Sequence, residues 1–116
     1  LRRPIIPEDC KHNGHMYYVI LPQEVNRQAV LEKLREENIL SVFHYVPLHQ
    51  SPAGKKFGRT HNTLTKTENL SSRLIRLPLY VNIEKNTQEA IIEKLLEIVA
   101  RLWAKYGEIK QFFFGE

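Results

Sequence analysis

"HMYYVIL" (residues 15–21) is the stretch of this 116-residue sequence that most strongly predicts its fold. Its aromatic and β-branched residues favour a β-strand, and Pro22 would end the strand because proline has no backbone N–H to donate. Apolar residues occupy both alternating sets, so we expect both faces of the strand to be covered. Helices packed on a sheet would provide that cover, and they set the class of fold.

The residues after this strand predict a helix and a second strand. Asn26 is a plausible N-cap, since its side chain can accept from free backbone amides at the start of a helix. Apolar residues at helical spacing follow it, with charged residues outside the stripe. "ILSVFHY" (39–45) then predicts the second strand, which Pro47 would end.

The middle of the chain is more polar. We expect a loop with one short helical turn through Gly58 and then a polar stretch at 59–66. "TENLSSRLI" (67–75) predicts a short helix, and Thr65 and Glu68 have the spacing of a capping box in front of it.

One more strand and one long helix complete the prediction. "RLPLYV" (76–81) predicts a short third strand, which Pro78 would place at the edge of the sheet. Asn86 and Glu89 form a box-like helix start, and Gly107 is a natural stop. The helix between them has a wide apolar stripe. Its members are Ile91, Ile92, Leu95, Leu96, Ile98, Val99, Leu102, Trp103 and Tyr106.

The order β-α-β-(α)-β-α predicts an α+β fold, a compact α/β sandwich in which helices pack on a small three-stranded sheet. We expect residues 1–14 to be a connection from a large domain that this chain lacks, and residues 15–106 to be one small domain. Residues 107–116 would form a tail. Phe112–Phe114 in that tail would face a neighbouring domain or a partner subunit, or the tail would be partly disordered.

Composition limits the possible ligands and compartments. The net charge of +4 and the pI of about 9.3 favour an anionic ligand without choosing among nucleic acid, acidic lipid and small phosphates. No run approaches the ~20 apolar residues of a membrane span, so we predict no membrane contact. Cys10 is the single cysteine, which excludes an internal disulfide and fits the reducing cytoplasm. The scattered histidines predict no metal site.

"HYVPLHQSPAGKKFGR" (44–59) is the candidate functional segment, because sites are often built where a strand ends and a loop begins. His44 and Tyr45 offer hydrogen-bond donors and a ring face, and the turn that follows offers backbone amides and lysines to a phosphate. The chemistry alone also allows a satisfied histidine at a strand end. For Lys55, Lys56 and Arg59 it also allows a solvated face.

The ordered set of motifs in this chain resembles the C-terminal small domain of nucleotide-sugar aminotransferases of the DegT/StrS type. The resemblance covers nearly the whole chain. The shared pieces are Asn13 and His15, Arg27, Asn38–Ile39, His44 through His49, Glu68, and Leu77–Pro78–Leu79. One departure is Asn38, where the family usually has glycine, although asparagine tolerates a left-handed backbone.

The resemblance implies a fold-type-I enzyme that uses pyridoxal 5'-phosphate. The amino donor would be glutamate, and the acceptor would be a nucleotide-linked 4-keto-6-deoxyhexose, TDP-linked by resemblance. The cofactor-binding lysine would lie in the missing large domain, so this chain alone would be inactive. The enzyme would be a homodimer.

The resemblance also assigns roles near the substrate. His44 and Tyr45 would line the sugar side of the site, and His49 would hold the loop or a phosphate. Lys55 and Arg59 would face the nucleotide diphosphate, as a point charge and a fork respectively.

Two other classes of protein remain open from the residues. A small nucleic-acid-binding module would explain the basic balance and the β-α-β order, but no aromatic-basic signature of the K/R-G-F-G-F kind occurs. A regulatory or oligomerisation module without a ligand would be a stable, self-associating domain that does not bind sugar nucleotides. The resemblance favours neither, and we expect no nucleic-acid partner.

Overall fold

A computed structural model describes the backbone of residues 1–114 and the side chains of residues 1–106. It confirms the predicted α+β class: helices pack on a three-stranded antiparallel sheet. The elements are β1 (Tyr17–Ile20), α1 (Arg27–Glu36), β2 (Val42–Phe43), a 3₁₀ turn (Leu48–Gln50), α2 (Pro52–Phe57), α3 (Thr65–Arg73), β3 (Leu74–Leu77) and α4 (Lys85–Phe114).

The sheet order is β1-β3-β2, so the third strand along the chain lies in the centre. Val19 pairs with Ile75 on one side of β3, and Phe43 pairs with Ile75 on the other. The prediction that Pro78 makes this an edge strand is therefore wrong. β3 ends at Leu77, one residue before the proline, so every residue of the strand retains its N–H donor.

The hydrophobic core lies where α1 and α4 meet the sheet. Its buried members are Val19, Leu21, Val25, Val30, Leu34, Ile75, Leu95, Ile98 and Val99. The cover on β1 is uneven: Val19 and Ile20 are 4% and 5% exposed, whereas Tyr17 is 41% exposed. Both faces are thus closed only at the C-terminal end of the strand. There Ile20 also exchanges two backbone hydrogen bonds with Arg2, at 2.9 and 3.0 Å.

The second strand is shorter than predicted. Only Val42 and Phe43 pair with β3, within the predicted strand at 39–45. At the start, the amides of Ile39 and Ser41 donate to the nearby carbonyls of Leu34 and Ile39, at 2.8 and 3.1 Å, rather than across the sheet. At the end, the φ of 36° at Tyr45 interrupts the extended chain. The left-handed backbone expected of Asn38 is confirmed.

The helix-to-strand boundary after the polar stretch lies earlier than predicted. α3 spans Thr65–Arg73 and β3 begins at Leu74, whereas the sequence predicted a helix over 67–75 and a strand over 76–81. The apolar residues of this boundary belong to the strand because they pair across the sheet with β1.

Two helix starts differ from expectation and one is confirmed. The Asn26 side chain accepts from the Ala29 amide at 3.0 Å and caps α1 as predicted. Thr65 is the first residue inside α3 rather than its cap, so the predicted capping box does not form. α4 begins at Lys85, which places Asn86 inside the first turn.

The last helix continues through Gly107 to Phe114, so the predicted stop at Gly107 is wrong. One glycine inside a helix costs about 1 kcal/mol, which a 30-residue helix can sustain. The prediction about the contacts of Phe112–Phe114 concerns side chains outside the described residues. Within the described part of the chain, no helix is long and apolar enough to cross a membrane.

Candidate functional site

The loop that follows β2 begins with a turn at Tyr45. Its φ of 36° is uncommon for a bulky residue and signals local strain. The Tyr45 side chain is 71% exposed, and its ring stands edge-on to the His44 ring with 5.3 Å between ring centroids. The strained turn therefore presents a tyrosine ring beside a half-buried imidazole.

His44 carries a polar atom without a partner. Its Nδ1 is buried and has no hydrogen-bond partner among the residues that the structure describes, and the same holds for Ser41 Oγ and Arg76 Nε. All three residues belong to β2, its flanks or the paired strand β3. Buried polar groups are nearly always paired, so this group of orphaned atoms marks the β2 side of the sheet as unusual.

Two arginines pack on the aromatic rings of this region. Arg76 lies over the Tyr45 ring at 5.6 Å from its centroid, and Arg27 lies over the Phe43 ring at 5.3 Å. Arg27 also donates from Nη1 to the Ser71 carbonyl at 2.5 Å, which links α1 to α3. Burial lowers the pKa of Arg27 from its ordinary value because desolvation disfavours the charged form.

A cavity of about 450 Å³ opens beside Tyr45, between β2, α1 and α3. Arg27, Tyr45 and Glu68 bring a cation, a phenol and a carboxylate to its wall. The remaining lining combines apolar surface with polar groups that include the amides of Gln50 and Asn69. This cavity is suited to a ligand that carries hydroxyl groups.

The 3₁₀ turn and α2 form one compact unit, which we call the 48–58 segment. Ser51 joins its two parts: Oγ donates to the Leu48 carbonyl at 2.7 Å and accepts from the Gly54 amide at 2.9 Å. A Cβ at Gly54 would lie 1.7 Å from the Leu48 oxygen, so only glycine permits this approach. The sequence prediction of a short helical turn through Gly58 is confirmed.

A second cavity of about 610 Å³ lies along the 48–58 segment. His49, Lys55 and Arg59 all line it, with Phe57 and Leu64 supplying apolar wall. Lys55 and Arg59 are both exposed, so their charges are solvated in this structure. The cavity thus combines two cations with an apolar surface on one side.

His49 and Glu68 lie between the two cavities. The imidazole Nε2 is 2.9 Å from Glu68 Oε1, and an ionised carboxylate can only accept, so the imidazole donates. The His49 side chain is 17% exposed and that of Glu68 is 42% exposed. Glu68 lines the cavity that contains Tyr45, and His49 lines the cavity that contains Lys55.

The structure therefore divides the predicted site residues into two groups. Tyr45 lines one cavity, whereas His49, Lys55 and Arg59 line the other. His44 lines neither of these cavities and packs against Tyr45.

Sequence reasoning missed Arg27 and Glu68 as site residues. Both stood among the family motifs, but Arg27 had no assigned role and Glu68 was interpreted as part of a helix cap. Within the described residues, no group of three or more histidine, cysteine, aspartate or glutamate side chains is arranged to hold a metal ion.

Comparison with known proteins gives a family match. The profile of the DegT/DnrJ/EryC1/StrS aminotransferase family matches residues 2–96. The spore coat polysaccharide biosynthesis protein SpsC of Bacillus subtilis (strain 168) is 28% identical over 101 residues, which cover 83% of this chain and 26% of SpsC. A dTDP-3-amino-3,4,6-trideoxy-alpha-D-glucose transaminase of Micromonospora megalomicea subsp. nigra is 24% identical over 88% of this chain and 27% of its own length.

Solved structures agree with the fold. A DegT DnrJ EryC1 StrS aminotransferase from Brucella abortus superposes with a TM-score of 0.72 at 27% identity, covering 83% of this chain and 25% of that chain. The aminotransferase TlmJ from Streptoalloteichus hindustanus gives a TM-score of 0.72 at 24% identity, covering 87% and 26%. The chain spans about a quarter of the length of the relatives that it matches.

Proposed function

Because the chain belongs to the DegT/DnrJ/EryC1/StrS aminotransferase family, we propose that it forms the small C-terminal domain of a pyridoxal-phosphate-dependent sugar aminotransferase. The whole enzyme would transfer an amino group from glutamate to the keto group of a nucleotide-linked 4-keto-6-deoxyhexose. This domain would supply part of the wall of the substrate site.

The observation that carries this proposal is the strained turn after β2. An orphaned buried imidazole nitrogen at His44 and a left-handed backbone at Tyr45 occur in consecutive residues. Both features cost free energy in the isolated domain, and such features gather where a ligand or partner completes the site. The neighbouring cavity presents a cation, a phenol, a carboxylate and side-chain amides beside apolar wall, which fits a sugar.

Pyridoxal phosphate would supply the electron sink for amino transfer. The described residues fit a position beside the cofactor rather than around it. A cofactor-binding lysine is activated by desolvation, whereas Lys55 is exposed and Lys56 lies over the Phe57 ring at 5.0 Å on an exposed helix. The resemblance implies that the cofactor lysine lies outside this chain, and we expect the isolated chain to be inactive. Turnover by the 116-residue chain alone would contradict this assignment.

Within the site, His44 and Tyr45 would contact the sugar, and Lys55 and Arg59 would contact the nucleotide diphosphate. Support for the second pair comes from their shared cavity, in which two cations meet one apolar wall. Phosphate oxygens suit both side chains, since lysine acts as a point charge and arginine as a planar fork.

For the substrate we propose TDP-4-keto-6-deoxyglucose, with TDP-4-amino-4,6-dideoxygalactose as the product. The support is the form of the motif at residues 44–59 and the dTDP-sugar named for the relative from Micromonospora. A role in bacterial surface polysaccharide follows as a proposal, in line with the name of the Bacillus relative. We propose a cytoplasmic homodimer, as the resemblance implies.

The test is His44→Ala in the full-length enzyme that contains this chain. We expect kcat/KM for the nucleotide sugar to fall about 10-fold or more, the scale of losing one hydrogen bond to a substrate. The visible absorbance of the bound cofactor should be retained. His61→Ala is the matched control, because this histidine is exposed in the polar stretch before α3.

Three outcomes separate the alternatives. A loss with His44→Ala and none with His61→Ala supports the assignment. Unchanged kinetics with both variants shows that His44 does not contact the sugar. Loss of cofactor absorbance with His44→Ala assigns the residue to the cofactor instead.

A further inference from the structure

The 48–58 segment is joined to the rest of the domain by few interactions. Its 3₁₀ turn and α2 pack chiefly on each other. Residues 59–64, which lead from it to α3, are all exposed. The position of Lys55 and Arg59 relative to the core therefore depends on whatever side-chain contacts cross from this segment to the body of the domain.

The contact between His49 and Glu68 crosses that gap. His49 lies in the 3₁₀ turn and Glu68 lies in α3, 19 residues further along the chain. Their 2.9 Å hydrogen bond is part-buried, and a bond to a charged group is stronger than one between neutral groups. Because His49 is occupied in this way, its Nε2 is not free to donate to a phosphate.

α3 has no buried residue, but hydrogen bonds and its direct continuation into β3 join it to the sheet. Arg73 donates from Nη1 to the Leu21 carbonyl at 2.8 Å, and the Arg73 carbonyl accepts from the Leu21 amide at 3.0 Å. Arg27 donates to the Ser71 carbonyl in the same helix. These bonds hold α3, and with it Glu68, in place on the domain. The hydrogen bond from His49 to Glu68 then holds the 48–58 segment next to α3.

We propose that His49 and Glu68 are a positioning pair that holds the 48–58 segment against α3 and so presents Lys55 and Arg59 to the diphosphate of the nucleotide sugar. The effect on the diphosphate rests on the proposed function. The attachment of the segment does not, and it is tested separately.

The first test is hydrogen–deuterium exchange of the unliganded full-length protein. Glu68→Ala should speed exchange in peptides that cover residues 48–58 by about 10-fold, the loss expected for one part-exposed charged hydrogen bond. Glu68→Gln should give a smaller change, because the glutamine oxygen still accepts from the imidazole. Glu93→Ala, an exposed glutamate on α4, is the control. Unchanged exchange in 48–58, or an equal increase in β1 and β3, would overturn the pair as a specific attachment.

The second test is the affinity for dTDP, measured by calorimetry on the same variants. We expect Lys55→Ala and Glu68→Ala each to weaken binding several-fold, with partial recovery in Glu68→Gln. If Lys55→Ala weakens binding and Glu68→Ala does not, the positioning role is wrong while the proposed nucleotide site stands. If the wild-type protein does not bind dTDP, the nucleotide assignment fails, and the exchange experiment alone decides whether the pair holds the segment.

Discussion

Gly54→Ala should loosen the 48–58 segment without unfolding the domain. The new methyl carbon would lie 1.7 Å from the Leu48 oxygen, 2.7 Å from the Leu48 carbonyl carbon and 3.0 Å from Ser51 Oγ. Contacts this short require the Leu48 carbonyl to move. That oxygen accepts from the Ser51 hydroxyl at 2.7 Å and from the Ser51 amide at 3.1 Å, so both hydrogen bonds are lost.

Two hydrogen bonds at about 1 kcal/mol each give a local cost of about 2 kcal/mol, equivalent to about a 30-fold increase in hydrogen exchange. Exchange should rise within residues 48–58, whereas the urea midpoint for global unfolding should change little because the core lies elsewhere. Ala53→Ser, an exposed change in the same helix, is the matched control. The reasoning is refuted if Gly54→Ala leaves exchange in this segment at the wild-type rate, or if exchange in the core rises equally.

Three further predictions concern stability. Leu34→Ala removes a side chain that is 0% exposed, so it should lower the free energy of unfolding, measured in urea, by about 2–5 kcal/mol. A loss below about 1 kcal/mol would contradict the described core. Asn38 has a φ of 60°, so Asn38→Gly should preserve or raise the stability, whereas Asn38→Val should lower it by about 1–2 kcal/mol. Equal melting temperatures of the glycine and valine variants would argue against the left-handed backbone. The hydrogen bond from Lys94 and the charge of Arg101 lower the pKa of Glu97, so its stabilisation is present above its ordinary pKa and is lost as pH falls through the lowered value. Glu97→Gln should therefore lower the melting temperature at neutral pH, and the difference should disappear in strong acid; a difference that does not depend on pH would exclude the ion pair as its cause.

Local signals in the sequence predicted the elements better than their arrangement. The Asn26 cap and the left-handed backbone at Asn38 depend on residues close in the chain, and both predictions are confirmed. The central place of β3 depends on pairing across the sheet, which proline position alone does not determine. The predicted helix end at Gly107 was wrong for a different reason: a helix of this length tolerates one glycine.

The candidate site could be predicted only in part. His44 and Tyr45 are consecutive in the sequence, and in the structure their rings pack against each other. No local rule predicts φ of 36° at a tyrosine. Nor does a local rule pair His49 with Glu68 across 19 residues, especially when a glutamate three residues after a threonine is typical of a helix cap.

The central position of β3 has a consequence for how the protein is made. β1 and β2 are synthesised before β3, yet β3 is the strand with which each of them pairs, apart from the bridge between Ile20 and Arg2. Until β3 is made, both strands carry open edges, and α4, which completes the core, is still untranslated. A nascent chain released before residue 74 would therefore expose unpaired strands and attract chaperones or proteases, whereas a chain that includes β3 closes its sheet by inserting this strand between the first two.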